Sequence, residues 1–185
     1  METSLLSDLS RDCKAALPIL GGWSQFTKMK LLVIDDEPAN VALLEAILSD
    51  NGFSRTRSMT DSRSALEVCH AFKPDLVLLD LMMPHLDGFA ILQSLRADPH
   101  EICLPVIVLT ADANEETKLR ALAAGASDFL LKPFDQLEAL LRIGNLLMTR
   151  QLYLQIDTQR AAYEEALRTR GEELQAAQAE LAKLR

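Results

Sequence analysis

Three carboxylates stand at the ends of apolar runs in this chain. Asp35 and Asp36 close the run LLVI, and Asp80 closes LVLL. An aspartate that follows four consecutive apolar residues ends in or beside a core, where an unpaired charge is expensive. Like charges brought close together raise that cost further. Protonation is one remedy. The other is a hard divalent cation such as Mg²⁺, which takes carboxylate oxygens, keeps several waters and leaves room for a phosphate oxygen. The plainer reading makes the acids helix caps or turn residues, and Asp36 does stand just before Glu37-Pro38, a helix start with proline in its first turn. That reading does not account for Asp80. Two further runs end in groups suited to an anion: Thr110 closes PVIVLT and Lys132 follows DFLL. A hydroxyl and a lysine point charge can both contact phosphate oxygens. The set comprises acids to hold a metal, one acid as nucleophile, and a hydroxyl and an ammonium to stabilise added negative charge. That is the make-up of an aspartyl-phosphate site.

Such a site needs elements that bring these ends together. Apolar runs of strand length occur at 31–34, 76–79, 105–109 and 129–131, with a more polar run at 53–59. Between them, Val41, Leu44, Ile47 and Leu48 show helical spacing, as do Ala65, Leu66 and Cys69, and then Leu119, Leu122 and Ala123. Continuous apolar strands alternating with helices mark a parallel sheet covered on both faces. The expectation is an α/β domain with five parallel strands in the order 2-1-3-4-5, the polar second strand lying at an edge. Strands one and three are then neighbours, and open sheets of this kind bind ligands at the carboxyl ends of their strands.

Residues 29–148 resemble the receiver domain of two-component response regulators. The resemblance rests on Asp35-Asp36, Asp80, the following MMPHLDGFA, Thr110-Ala111 and GASDFLLKPF at 125–134. Asp80 lies 45 and 44 residues after the acidic pair, Thr110 lies 30 after Asp80, and Lys132 lies 22 after Thr110. Each motif alone is weak; all of them in order at these spacings are specific. The resemblance implies a flavodoxin-like (βα)5 fold in which Asp80 accepts phosphate from a phosphohistidine on a histidine kinase or phosphotransfer protein. It implies that Asp35, Asp36, Asp80 and the Met82 backbone carbonyl hold Mg²⁺, directly or through water. It further implies that Thr110 and Lys132 contact the phosphoryl group, that Lys132-Pro133 is cis, and that Gly88 opens the third helix. Thr110 and Phe129 would form the switch, with plain core packing as the competing reading for Phe129. A phenylalanine there lacks the hydroxyl often found at this position in the family. The implied chemistry is the receiver's own phosphotransfer and dephosphorylation, and no other enzymatic activity is expected.

Composition sets the outer limits. The chain has 185 residues, 49% of them hydrophobic and 25% charged, with a net charge of −8. The acidic balance argues against a nucleic-acid footprint and against anionic membrane surfaces. No apolar run approaches membrane-spanning length, because charges interrupt every block. Cys13, Cys69 and Cys103 form no CxxC pair, which fits a reduced, cytoplasmic protein, and Cys69 and Cys103 read as packing residues. His70, His85 and His100 lack metal-ligand spacing and read as surface or turn positions.

Residues 1–28 read as a tail or short docked helix, and 149–185 as a helical, coiled-coil extension rich in good helix formers. A heptad frame puts Leu146, Tyr153, Arg160, Leu167, Leu174 and Leu181 in one register and Thr149, Ile156, Tyr163, Arg170, Ala177 and Leu184 in the other. The apolar members are expected to line the stalk of a homodimer, with a solvated helical tail as the alternative. The segment RIGNLLMTRQLYLQ weakly resembles linkers that join receivers to cyclic-dinucleotide output domains. Two readings of the whole therefore stand. One is a receiver that signals through its dimerising helix; the other is an output-free phosphate shuttle or sink, or the truncated receiver of a longer regulator.

Overall fold

The apolar runs form five parallel strands: β1 (Leu31–Ile34), β2 (Thr56–Met59), β3 (Leu76–Asp80), β4 (Val106–Thr110) and β5 (Asp128–Leu131). Their order is β2-β1-β3-β4-β5, as expected from the sequence. The structure, a computed structural model, describes residues 25–99, 101 and 103–183, without the side chains of 176, 177 and 179–182. Most of the N-terminal extension, Cys13, His100 and Leu184 therefore lie outside the described residues, as does the Leu181 side chain. The helices are α1 (Pro38–Asp50), α2 (Ala65–Phe72), α3 (Gly88–Ala97), α4 (Glu115–Ala123) and α5 (Gln136–Lys183).

Alternate residues of each inner strand serve opposite faces, because side chains in a strand point up and down by turns. Leu31, Val33, Leu76, Leu78, Ile107 and Leu109 meet Val41, Leu44, Ile47 and Leu48 of α1 and Ala139, Leu140, Ile143 and Leu147 of α5. Leu32, Ile34, Val77, Leu79, Val106 and Val108 meet Cys69 of α2, Ile91, Leu92 and Leu95 of α3, and Ala121 of α4. Each fully buried Leu, Ile or Val contributes roughly 1.5–3 kcal/mol. The continuous apolar runs thus reflect burial on both faces. The edge strand β2 carries the polar sequence TRSM and is partly exposed.

Helix α4 forms where Leu119, Leu122 and Ala123 show helical spacing, but these are not the residues it buries. Leu119 and Leu122 are exposed, and Ala121 is its buried residue. Leu119 and Leu122 share a face by their spacing of three, but the small Ala121 on another face is the one that meets the sheet. Cys69 is buried, as expected, and desolvation pushes its thiol up to about 12. Cys103 is exposed and is no packing residue. Of the described histidines, His85 is exposed in the loop after β3, and His70 sits within 3.3 Å of Asp98 at the surface.

Two compact units meet in sequence at Arg150 and Gln151. In the first, Leu146 packs partly buried against the first core cluster, although its heptad place counts it with the stalk. In the second, α5 exposes Ile156, Tyr163, Leu167 and Leu174, with Leu152 and Tyr153 less so. The pairs Arg160–Glu164 and Arg168–Glu165 lie along it at 2.8 and 2.7 Å. Such exposed pairs add only a few tenths of a kcal/mol each, about 0.3–0.5. Exposed apolar side chains are therefore a more notable feature of this unit than its ion pairs. Among the described residues no helix is long and apolar enough to cross a membrane.

Candidate functional site

Four of the candidate residues occupy the last position of a strand or the first after it. Asp80 ends β3 and Thr110 ends β4, while Asp35 follows β1 and Lys132 follows β5. Register carries the chain ends to one edge: Ile34 pairs with Leu79, Asp80 with Leu109, and Thr110 with Leu131. Carboxylate oxygens of Asp35, Asp36 and Asp80 all lie within 4.8 Å of one another. Asp35 and Asp80 are buried, and Asp36 is half-buried. The helix-cap reading of Asp36 does not hold, because Glu37 occupies the N-cap of α1 and its side chain accepts from the Ala39 N–H.

Lys132 supplies the opposite charge. Its Nζ lies 2.7 Å from Asp35 Oδ2 and 3.0 Å from Asp80 Oδ2. The other oxygen of Asp35 accepts from the Glu37 backbone N–H and from the Asn40 side-chain amide, each at 3.0 Å. Asp80 Oδ1 accepts from the Met82 N–H at 3.3 Å. Hydrogen bonds of this kind hold the direction of each carboxylate. Thr110 is buried, and its Oγ1 accepts from the Asp112 N–H at 3.1 Å. The Lys132 N–H donates to the Thr110 carbonyl at 2.8 Å, and the Lys132-Pro133 peptide is cis. The Met82 side chain points to solvent, at 73% exposure.

Phe129 has cationic neighbours. It is half-buried against the second core cluster, with Lys118 Nζ 5.1 Å and the Arg142 guanidinium 5.8 Å from its ring centre. Arg142 is fixed in turn by Asp128, with both carboxylate oxygens at 2.8 Å. Asn40 escaped the sequence reading. The available signal was an amide in the first turn of the helix that leaves the acidic pair.

Gly88 has a steric reason. A Cβ there would fall 2.2 Å from the Asp80 carbonyl oxygen and 2.7 Å from Leu81 Cα. Both contacts are backbone, so no side chain can move aside. The Gly88 N–H donates to the Leu81 carbonyl at 3.0 Å, bringing the start of α3 against the end of β3. Gly88→Ala must therefore push α3 away from the end of β3. The expected loss is about 1–3 kcal/mol, the usual cost of overpacking. Urea denaturation measures it; a variant as stable as the parent would show that the helix start yields freely.

The chain belongs to the family of response regulator receiver domains, whose pattern matches residues 31–143. Among curated proteins it is 39% identical to the response regulator PleD of Caulobacter vibrioides over 117 residues, covering 63% of this chain and 26% of PleD. It is 40% identical to the response regulator MprA of Mycolicibacterium vanbaalenii over 119 residues, or 64% of this chain and 50% of MprA. The match spans only about a quarter to a half of these relatives. Among solved structures it is similar to the receiver domain of NtrX from Brucella abortus, with a TM-score of 0.60 and 36% identity. That match covers 65% of this chain and 99% of the other. It is also similar to the receiver domain of sensor histidine kinase PA1611 from Pseudomonas aeruginosa, with a TM-score of 0.60, 29% identity and coverage of 64% and 97%. That structure has a magnesium ion coordinated in its active-site cleft.

Proposed function

We propose that this chain is a phosphorylatable signal receiver in which Asp80 accepts a phosphoryl group from a histidine kinase or phosphotransfer protein. The observation that carries the reading is the convergence of Asp35, Asp36 and Asp80 within 4.8 Å, with Lys132 bridging two of them. Three carboxylates so placed suit Mg²⁺, and Asp35, Asp36, Asp80 and the Met82 carbonyl would hold it. The ion, when bound, neutralises negative charge on the acids and on an incoming phosphoryl group. The Asp80 carboxylate oxygen attacks phosphorus, the phosphorus–nitrogen bond of the donor phosphohistidine breaks, and the imidazole nitrogen takes up a proton. Lys132 stays within reach of the new phosphoryl oxygens, and the Thr110 hydroxyl can turn its proton toward one of them. Phosphorylation adds about −1.5 to −2 charges at pH 7 at this edge of the sheet. Thr110 and Phe129 then read that charge as the switch.

The output we assign is a change in homodimer pairing through α5, along Leu146, Tyr153, Ile156, Tyr163, Leu167, Leu174, Leu181 and Leu184. The exposed apolar side chains at 156, 163, 167 and 174 support it. The chain acts in the cytoplasm, contacts neither nucleic acid nor membrane, and catalyses nothing beyond its own phosphotransfer and dephosphorylation. The test is solution mass by light scattering, with Mg²⁺ alone and with Mg²⁺ plus beryllofluoride, a mimic of the phosphoryl group. The expected result is a rise in mass with the mimic that Asp80→Asn does not show. An unchanged dimer would confine signalling to a rearrangement within the pair. An unchanged monomer would overturn the stalk and favour a phosphate shuttle or sink.

A further inference from the structure

The loop that follows Asp80 is tied down at more points than its own sequence requires. Leu81 and Met83 are buried on either side of exposed Met82. The Leu81 N–H donates to the Leu109 carbonyl at 3.2 Å, and the Met82 N–H to Asp80 Oδ1. Gly88 closes the far end against Leu81. Between these anchors lie Pro84, His85 and Leu86, and His85 takes a positive φ of 72°. A non-glycine residue in that conformation costs free energy and persists only where neighbours hold it.

One neighbour comes from a different part of the chain. Ser62 lies in a single 3₁₀ turn, Ser62–Ser64, just after β2, and is buried at 2% exposure. Its hydroxyl donates to the Pro84 carbonyl at 2.9 Å. The same oxygen accepts from the Leu86 N–H at 3.3 Å, a donor it shares with the Pro84 carbonyl at 3.0 Å. The turn that carries Ser62 is itself held: Asp61 caps it through the Arg63 N–H, and the Arg63 guanidinium pairs with Asp61 at 2.7 Å. In the sheet β1 separates β2 from β3, so this hydroxyl links two loops that flank the strand that Asp35 and Asp36 follow.

We propose that Ser62 is a positioning residue for the metal-binding loop: its hydroxyl clamps Pro84 and Leu86 and so fixes the backbone that presents the Met82 carbonyl. The inference rests on the proposed Mg²⁺ site and extends it to a residue outside the acidic cluster. Only a side chain that both donates and accepts can make this clamp. Alanine does neither, and threonine does both. Groups that orient a ligand without touching the metal typically contribute about 10–100-fold to affinity.

The test uses the full chain and three proteins: the parent, Ser62→Ala and Ser62→Thr. Mg²⁺ affinity is measured by calorimetry, and exchange of the Leu86 amide by NMR in metal-free protein. The expected result is a loss of about tenfold in Mg²⁺ affinity for Ser62→Ala, at the low end of that range. Faster Leu86 exchange should accompany it, and Ser62→Thr should recover both. If Ser62→Ala does not fold, Ser62→Cys replaces it, since a thiol fills the site but hydrogen-bonds weakly. Unchanged Mg²⁺ affinity with slow Leu86 exchange overturns the inference. A lower melting temperature with unchanged Mg²⁺ affinity also overturns it, by making Ser62 a purely structural residue. A parent protein that binds no Mg²⁺ is a different failure, because it removes the proposed metal site itself.

Discussion

Asp80→Asn is expected to take up no phosphoryl group from a small-molecule phosphodonor such as acetyl phosphate under conditions, with Mg²⁺ present, in which the parent chain is expected to be labelled. The substitution keeps size and shape but replaces a carboxylate nucleophile with an amide. Removal of a nucleophile costs roughly four or more orders of magnitude in rate where it has been measured. Asp35 does not stand ready to substitute. Asp35 has one oxygen on Lys132 and the other on Glu37 and Asn40, so both are already engaged. Asp36 is the remaining carboxylate, and weak labelling there is the main rival outcome. Mass spectrometry of borohydride-trapped protein separates the two positions. Labelling of Asp80→Asn at the parent rate would sink the assignment of the phosphoacceptor. The fold should survive the change, because Lys132 keeps Asp35 as its partner at 2.7 Å.

The residues of this site could be named from sequence because the fold places chemistry at the ends of continuous apolar runs. Each run is apolar throughout because helices cover both faces of the sheet, so its first polar residue marks the edge where the candidate site lies. Asp35, Asp80, Thr110 and Lys132 all follow that rule. What could not be read are contacts that depend on how helices and loops come to rest. Ser62 meets Pro84 across 22 residues of sequence, and no local pattern announces it. Asn40 reaches Asp35 only because Pro38 starts α1 where it does. Leu119 and Leu122 show helical spacing in α4, yet small Ala121 makes the contact with the sheet. Periodicity locates a helix but does not decide which of two apolar faces turns inward when one is a single alanine.

Lys132→Met is expected to destabilise the metal-free protein by about 3–5 kcal/mol, the usual cost of stripping one partner from a buried ion pair. Lys132 is largely buried and bridges Asp35, whose side chain is fully buried, and Asp80, whose side chain is nearly so. Methionine fills similar volume, so the loss is one of charge and not of packing. Without the ammonium, three carboxylates within 4.8 Å face one another with no described cation between them. The cost should therefore depend on Mg²⁺. A bound divalent ion stabilises the folded state by mass action, and it does so most where the carboxylates lack any other counter-charge. Urea denaturation of parent and Lys132→Met, each in chelator and in millimolar Mg²⁺, reads this directly. The gap between the two proteins should be wide in chelator and should narrow in Mg²⁺. Equal stability in chelator would mean that water already neutralises the trio and that the bridge contributes little. A gap that Mg²⁺ leaves untouched would place the ion away from these acids. The same lysine thus has two successive partners in this reading: the paired carboxylates before phosphorylation, and the phosphoryl oxygens after it. Phosphoryl uptake by Lys132→Met in saturating Mg²⁺ then isolates the second role, since the ion has by then made good the first.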